Sequence, residues 1–354
     1  MTISLCMIVR DEEKVLDRCL SSIMDVLDEI IVIDTGSKDK TIEIAKNYKA
    51  KIYHFSWDNN FASARNFAFS KATKDYILWL DADDILYPKE LEKLADLKQA
   101  LNGDIDAYSM IYHYEVDENE NVLLSFRRNR LVRREKGFMW YGAVHEYLDI
   151  YGKTIDTDIC ITHKRIKAVS DRNLKIYEER LQKGIKLSTR DIYYYGKELY
   201  DHEDYERAID YFLDFIDCED AWIEEKIAAC LKIARYYTWF GLYNQSRTYC
   251  YKTFEYGKPR PEVCCQMGSN YFEESKIEQA IYWYSLALRV GQDDHPDAFT
   301  NPACSSWLPH LQLCMCYYKL GDVQKAKKHN EEALKHNKNH ESILFNQKFF
   351  DEIQ

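Results

Sequence analysis

The sequence lacks any apolar run approaching the ~20 residues that a membrane-spanning helix requires. Its first segment, MTISLCMIVRDEE, becomes charged within ten residues, so we expect no secretory signal peptide. The net charge of −11 argues against a nucleic-acid-binding protein, because such proteins carry basic surfaces. The 11 cysteines are odd in number, form no CxxC pair and lie in apolar contexts. Reduced, structural thiols of this kind predict a cytoplasmic protein.

The sequence has ample material for a hydrophobic core, since 46% of its 354 residues are hydrophobic and 14% are aromatic. A chain of this length favours two domains. Basic residues are concentrated in one place, because residues 127–136 (RRNRLVRREK) hold six of the 48 Lys and Arg residues. This segment is either an anion-binding site or a solvated edge strand.

Strand and helix patterns alternate through the first hundred residues and predict an α/β fold with a mostly parallel sheet. The predicted strands are Ile3–Val9, Glu29–Asp34, 51–55 and 76–80. The predicted helices between them are 11–24, 40–47 and Phe61–Lys71. Further strands are predicted at Ala107–Val116, Val122–Arg133 and Thr154–His163, with a hairpin turn at 117–121.

Polar residues follow four of the predicted strands. The carboxyl ends of parallel strands meet at one edge of a sheet, and ligands bind at that edge in open α/β folds. The four segments are Arg10-Asp11-Glu12, Asp34-Thr35-Gly36-Ser37, Trp57-Asp58-Asn59-Asn60 and Asp81-Ala82-Asp83-Asp84. Together they predict a binding site at this edge.

The segment YILWLDADDIL, residues 76–86, ends a predicted buried strand with three carboxylates, Asp81, Asp83 and Asp84. Carboxylates this close repel one another unless a hard divalent cation neutralises them. Such a cation could also bridge to a diphosphate. The alternative is a solvated turn that leads into a helix N-cap.

From about residue 172 the sequence becomes helical and repeats near 34 residues, which is the period of tetratricopeptide helix pairs. Small residues that let paired helices approach recur at Ala208, Ser246, Ala280 and Ala326. The proline-containing segment 293–309 interrupts the repeat and predicts an inserted loop. Helical arrays of this type offer a concave surface to a peptide or a subunit. Alternatively, these helices only brace the sheet domain.

The N-terminal 165 residues resemble the family 2 glycosyltransferases of GT-A fold. The resemblance is carried by LCMIVRDEE, VIDTGSKDKT, FSWDNNFASARNFA and WLDADDIL, in the family's order and rough spacing. A later VHE segment and the C-terminal repeats are similar to a bacterial subgroup that includes the sublancin-type peptide S-glycosyltransferases. The resemblance implies a Rossmann-like GT-A domain at 1–168, followed by an all-α, tetratricopeptide-like repeat domain at 169–354.

The resemblance also implies roles for individual residues in binding the nucleotide sugar. The loop from Val9 to Glu12 would hold the nucleobase, and Asp34 would contact the uracil or the ribose. Arg65 corresponds to an arginine that helps to hold the nucleotide. Asp81 corresponds to the first acid of the family's DxD motif, near the ribose and the metal.

The metal ligands implied by the resemblance are Asp81, Asp83 and His163. Asp83 corresponds to the second acid of the DxD motif, and His163 would complete the metal shell. Oxygen ligands and a diphosphate suit Mg²⁺ or Mn²⁺. The ion would neutralise charge on the departing diphosphate.

Direct displacement at a sugar carbon also requires a base for the acceptor. The segment YGAVHEYL, residues 141–148, supplies Glu146 and His145. Glu146 is favoured, because inverting members of this fold generally use a carboxylate. Asp84 is a further candidate, and an ordinary strand-end role for the His-Glu pair is the alternative.

These features predict a metal-dependent, inverting glycosyltransferase that uses a uridine diphosphate sugar. The expected acceptor is a Cys, Ser or Thr side chain of a peptide or protein, and the helical repeats would recognise it or form a homodimer. A surface polysaccharide or lipid-linked core is the alternative acceptor. An inactive repeat scaffold is the alternative of another class. A nucleotidyltransferase is disfavoured, because MIVRDEEKV has no glycine for a phosphate loop.

Overall fold

The computed structural model describes residues 1–116, 122–164, 170–290 and 301–352. The chain divides into two compact units, Met1–Ile185 and Lys186–Gln354. The predicted turn at 117–121 and residues 293–300 of the predicted loop lie outside the described residues. So does the predicted domain boundary at 168/169, which stays a prediction.

The first unit is built on an eight-stranded sheet and a separate two-stranded sheet. The strands are β1 (Ile3–Val9), β2 (Glu29–Asp34), β3 (Lys51–His54), β4 (Tyr76–Trp79), β5 (Asp84–Ile85), β6 (Ala107–Val116), β7 (Val122–Arg133), β8 (Trp140–Tyr141), β9 (Tyr147–Leu148) and β10 (Thr154–His163). The large sheet has the order β3-β2-β1-β4-β7-β6-β10-β5, and β8 pairs with β9. The first four strands in that order are parallel, β7 is antiparallel to β4 and β6, and β10 is parallel to β6. The carboxyl ends of β1, β2 and β4 therefore share one edge.

Helices cover both faces of the large sheet, which explains why its central strands are apolar at consecutive positions. The helices of this unit are α1 (Leu16–Ser21), α2 (Thr41–Asn47), α3 (Phe61–Lys71), α4 (Pro88–Ala100) and α5 (Arg172–Gln182). Leu5 and Met7 of β1 belong to one apolar core, and Cys6 between them belongs to a second core that includes Ala68 of α3. The α/β class predicted from the alternating pattern is confirmed.

The first helix is shorter than the predicted range of 11–24. It covers only Leu16–Ser21, and a 3-10 turn follows at Met24–Val26. Asp11 has a left-handed φ of 53°, and the N–H groups of residues 11–13 donate to side chains of the segment after β2. These hydrogen bonds replace the first helical turn and join the two loops.

The second unit is helical throughout its described part, as predicted. Its helices are α6 (Thr189–Asp201), α7 (Tyr205–Ile216), α8 (Ile223–Trp239), α9 (Tyr243–Lys252), α10 (Pro261–Glu273), α11 (Ile277–Val290), α12 (Trp307–Lys319), α13 (Val323–His336) and α14 (Glu341–Glu352). Successive helices pack in pairs, and all four small residues at the predicted equivalent positions are fully buried: Ala208, Ser246, Ala280 and Ala326. Part of the predicted loop is helical instead, because a 3-10 turn forms at Pro302–Ser305 and α12 begins at Trp307. Within the described ranges, no helix has the length and apolar character needed to cross a bilayer.

Gly268 of α10 lies against Tyr284 of α11, and a Cβ atom at Gly268 would lie 2.7 Å from the ring. Tyr284 is buried, so its ring has little room to move aside. We expect Gly268→Ala to lower the free energy of unfolding of the helical unit by about 1–3 kcal/mol, measured by urea unfolding. Gly257→Ala is the control, because open space surrounds that position. An unchanged midpoint for Gly268→Ala would contradict the close helix contact.

Glu29 is a buried carboxylate at the start of β2. Burial alone would raise its pKa, but hydrogen bonds from Lys51, Ser4 and Thr73 outweigh burial and lower the pKa to about 2. Because the folded pKa lies below the unfolded one, this carboxylate stabilises the fold above the unfolded pKa and loses that effect as the pH falls toward 2.

We therefore expect Glu29→Gln to lower the free energy of unfolding by about 2–3 kcal/mol at neutral pH. The difference from the unsubstituted protein should shrink between about pH 6 and pH 3 in urea unfolding. A difference that stays constant over this range would show that the carboxylate charge does not stabilise the fold.

Candidate active site

The loops that follow β1 and β2 form one hydrogen-bonded surface at the carboxyl edge of the sheet. The Asp11 N–H donates to Ser37 Oγ at 3.1 Å, and Asp11 Oδ1 accepts from the Lys38 N–H at 2.7 Å. The Glu12 N–H donates to Thr41 Oγ1 at 2.7 Å. Glu12, which was predicted to line the nucleobase site, is half-buried. The hydrogen bonds of Asp11 to the segment after β2 hold the loop that contains it.

Asp34 and Val9 are paired at the ends of β2 and β1. The buried Asp34 carboxylate accepts from the Ser37 N–H at 3.0 Å and lies 3.1 Å from His54 Nδ1. Burial alone would raise the pKa of Asp34, but the hydrogen bonds from Ser37 and His54 lower it. The Val9 side chain is buried in the core, and its carbonyl accepts twice from Thr35 at 3.0 Å. Val9 thus anchors the loop, and His54 supports Asp34.

The acidic segment after β4 forms a tight turn. The Asp84 N–H donates to the Asp81 carbonyl at 3.1 Å, and the Asp81 N–H donates to Asp84 Oδ2 at 3.0 Å. Asp84 is fully buried, with Tyr112 donating to Oδ1 at 2.8 Å and Arg130 Nη1 lying 3.1 Å from Oδ2. The side chains of Asp81 and Asp83 are 29% and 25% exposed. The turn therefore leaves these two acids accessible and uses Asp84 as internal support.

A candidate metal site lies at Asp83, Asp84 and His163, whose ligand atoms are all within 4.8 Å of one another. β10 brings His163 opposite Asp84 in β5. His163 Nδ1 lies 3.4 Å from Asp83 Oδ1 and 3.5 Å from Asp84 Oδ1, and it has no hydrogen-bond partner in the part of the chain that the structure describes. Two carboxylates and an imidazole fit Mn²⁺ or Mg²⁺. Of the predicted ligands, Asp83 and His163 come together here, and Asp81 lies outside this cluster.

The charges in this cluster shift one another's proton affinity. Burial raises the pKa of Asp83, and the charges of Asp81 and Asp84 add to that effect. Burial alone would lower the pKa of His163, but the neighbouring Asp84 and Asp83 carboxylates outweigh it and raise the pKa. A bound cation would relieve the carboxylate repulsion that these shifts reflect.

Arg65 of α3 connects two predicted functional acids. Its Nη2 donates to Asp81 Oδ1 at 2.8 Å, and its Nε donates to Glu146 Oε1 at 2.6 Å. The guanidinium lies 5.0 Å and 4.8 Å from the ring centroids of Trp79 and Trp140. Burial alone would raise the pKa of Asp81, but the Arg65 charge outweighs burial and holds it well below its usual range. The three charged groups form a rigid bridge across the site.

α3 also positions the hairpin between β8 and β9, which carries His145 and Glu146. The side-chain amide of Asn66 donates to the Trp140 carbonyl at 2.9 Å and accepts from the Trp140 N–H at 2.8 Å. These two hydrogen bonds to one backbone residue resemble those that a paired strand would make. The first N–H of α3 donates to the Ala143 carbonyl at 2.8 Å. His145 has a left-handed φ of 51°, a conformation that is uncommon outside glycine. Sequence reasoning assigned Asn66 no role, and its place beside the arginine was the only signal.

The first unit is an open α/β sheet with acidic residues at its carboxyl edge. Folds of this class bind nucleotides and metals at the carboxyl ends of their strands. Residues 4–151 match the family model described as Glycosyl transferase family 2. This match covers less than half of the chain, and it agrees with the sequence resemblance to the family 2 glycosyltransferases.

The chain is similar to several curated proteins over part of its length. It is 42% identical over 147 residues to a TPR repeat-containing protein of Synechococcus elongatus, an alignment that covers 42% of this chain and 35% of the relative. It is 30% identical over 224 residues to the SPbeta prophage-derived glycosyltransferase SunS of Bacillus subtilis, covering 59% of this chain and 52% of SunS. The chain thus spans about a third to a half of the length of these relatives.

Among solved structures, S. aureus TarS in complex with UDP-GlcNAc aligns with 96% of this chain and 93% of its own. The TM-score is 0.38 and the sequence identity is 12%.

Proposed function

We propose that the protein transfers a sugar from a uridine diphosphate sugar to a Cys, Ser or Thr side chain of a peptide or protein, with inversion at the anomeric carbon. The observation that carries this proposal is the arrangement at one sheet edge of a candidate metal cluster, Asp83 with His163, beside the bridged acids Asp81 and Glu146. The family 2 domain supports the donor class. The sequence resemblance to peptide S-glycosyltransferases supports the acceptor class, and the match to the glycosyltransferase SunS supports sugar transfer.

The donor would bind across the loops after β1, β2 and β4. Glu12 and Asp34 would hold the base and ribose, and Arg65 would fix the orientation of Asp81. Asp83 and His163, with Asp84, would hold a Mg²⁺ or Mn²⁺ ion. When bound, that ion would neutralise the diphosphate charge.

Glu146 would accept the proton of the acceptor, with His145 as the alternative base. The acceptor oxygen or sulfur would form a bond to the anomeric carbon while the bond from that carbon to the diphosphate oxygen breaks. The electron pair of the broken bond would leave with the diphosphate. Asp84 is a poor candidate base, because it is fully buried and both its oxygens already accept hydrogen bonds or an ion pair.

The helical unit would recognise the acceptor or form a homodimer. Helical repeats commonly present a binding surface of this kind. Large aromatic side chains on this unit are exposed, which supports a contact role: Trp239, Phe240, Tyr282 and Phe345.

The test is a transfer assay of the purified protein with Mn²⁺, a panel of uridine diphosphate sugars, and two acceptor libraries, one of peptides and one of lipid-linked glycans and polysaccharides. Transfer of sugar to a peptide Cys, Ser or Thr side chain, together with loss of transfer when EDTA chelates the metal, would support the proposal. Transfer only to glycans would show that the acceptor is a polysaccharide or lipid-linked glycan and not a peptide. A protein that bound no nucleotide sugar by calorimetry would be an inactive scaffold.

A further inference from the structure

Two arginines of β7 lie beside the acidic turn. The antiparallel register of β4 and β7 pairs Leu78 with Leu131. Asp81 follows two residues after the end of β4, and Arg128 lies three residues before Leu131 in β7. Trp79 Nε1 donates to the Asn129 carbonyl at 2.8 Å, which keeps the two segments together beyond the last paired residues. The predicted basic segment therefore starts at the candidate active site.

Arg130 is fully buried and neutralises Asp84. Its Nη1 donates to the Trp79 carbonyl at 3.2 Å, and its guanidinium lies 3.9 Å from the Trp79 centroid and 4.4 Å from the Tyr112 centroid. Its Nε and Nη2 have no hydrogen-bond partner among the described residues. Arg130 is thus a fixed internal positive charge behind the acidic turn.

Arg128 is held differently. Its guanidinium lies 5.2 Å, 5.3 Å and 5.7 Å from the ring centroids of Tyr112, Phe126 and Trp79. In the described ranges, the Arg128 guanidinium makes no hydrogen bond or ion pair, although the backbone of Arg128 pairs with Met110 of β6. Its charge nevertheless lowers the pKa of Asp81, after the larger effects of burial and of the neighbouring arginines.

The adjacent Arg127 shows the contrast. Its Nη1 donates to the Thr157 carbonyl at 2.9 Å, and its Nε lies 3.7 Å from the Asp156 carboxylate. Successive side chains of a strand point to opposite faces of the sheet. Arg127 and Arg128 are therefore adjacent residues of the same type whose side chains lie on opposite faces. Three aromatic rings fix Arg128 in place, and its N–H donors remain available to a ligand.

We propose that Arg128 binds the distal phosphate of the donor diphosphate. A planar guanidinium with unused donors matches phosphate oxygens in geometry and charge. Its guanidinium lies over the Trp79 ring, two residues before Asp81, and this position points to the donor because Asp81 is the acid assigned to the ribose and metal. Together with a cation at Asp83, Arg128 would offer positive charge from a second direction as the diphosphate leaves. This inference rests on the proposed function.

The test compares the affinities of UDP and UMP by calorimetry, with Mn²⁺ and with EDTA, for the full chain and for Arg128→Gln. We expect UDP to bind about 10- to 100-fold more weakly to Arg128→Gln, and UMP, which lacks the distal phosphate, to bind as before. The loss should persist in EDTA, because it does not depend on the ion. Arg128→Lys should recover part of the UDP affinity, and Arg127→Gln should bind both nucleotides normally.

An unchanged ratio of UDP to UMP affinity in Arg128→Gln would overturn the inference and leave the proposed function standing. An equal loss for both nucleotides would also overturn it, because it would indicate a general structural defect. Unchanged UDP affinity with a raised KM for the acceptor would move Arg128 to the acceptor site. If the unsubstituted protein bound none of UDP, GDP and ADP, the proposed function would fail together with the inference.

Discussion

Asp83→Asn should reduce sugar transfer by at least about a thousandfold while the fold persists. Asp83 is the accessible carboxylate of the cluster with Asp84 and His163, so its replacement removes a charged ligand from any ion held there. Stability should change little or rise slightly, because burial and the like charges of Asp81 and Asp84 raise the pKa of Asp83. The measurements are the transfer rate, Mn²⁺ affinity by calorimetry, and thermal unfolding.

The matched control for this substitution is Asp25→Asn. Asp25 is exposed in the 3-10 turn at Met24–Val26 and is not part of the cluster, so the change should leave the rate and the metal affinity unaltered. Full transfer by Asp83→Asn, with normal Mn²⁺ affinity, would remove Asp83 from the metal site. Loss of folded protein in Asp83→Asn would instead indicate a structural role for the carboxylate.

Glu146→Gln should lower kcat by about 10²- to 10⁴-fold and leave donor affinity nearly unchanged. Glutamine keeps the shape of the side chain and can still accept the hydrogen bond from Arg65 Nε, but it cannot take a proton from the acceptor. Steady-state kinetics with the acceptor and calorimetry with the donor separate the two effects.

The companion variant His145→Asn decides between the two candidate bases. Asparagine tolerates the left-handed backbone found at this position, so the hairpin should keep its shape. If Glu146 is the base, His145→Asn should retain most of the activity. A larger loss in His145→Asn than in Glu146→Gln would assign the base to the imidazole.

Local sequence patterns were sufficient to predict the elements of the sheet. β1, β2 and α3 begin and end at the predicted residues, as do β6, β7 and β10. The strands combine apolar residues with polar residues at their ends, so the signal lies within the segment itself. The predicted bounds of the first helix were wrong. Side chains of the segment after β2, which is distant in sequence, bind the N–H groups of the expected first turn.

The sequence indicates individual candidate residues for the site but not how they are arranged. Arg65 and Glu146 are 81 residues apart, and no local pattern indicates that they are bonded. Asp84 joins the metal cluster and Asp81 does not, because the turn after β4 directs Asp81 to Arg65, a result of three-dimensional packing. The basic segment was interpreted either as an anion-binding site or as a solvated edge strand. Its arginines alternate between the two faces of the sheet, and only the pairing of the strands shows which of them face the acids.

The family match ends at residue 151, yet the sheet continues beyond it. β10 pairs with both β6 and β5, and it delivers His163 to the acids. Farther on, Glu179 of α5 accepts from Asn59 Nδ2 at 2.6 Å. A truncated protein that stopped at 151 would uncover the edge of β6 and invite aggregation through it. An expressed fragment of this chain that is meant to hold the first unit should therefore extend through Ile185.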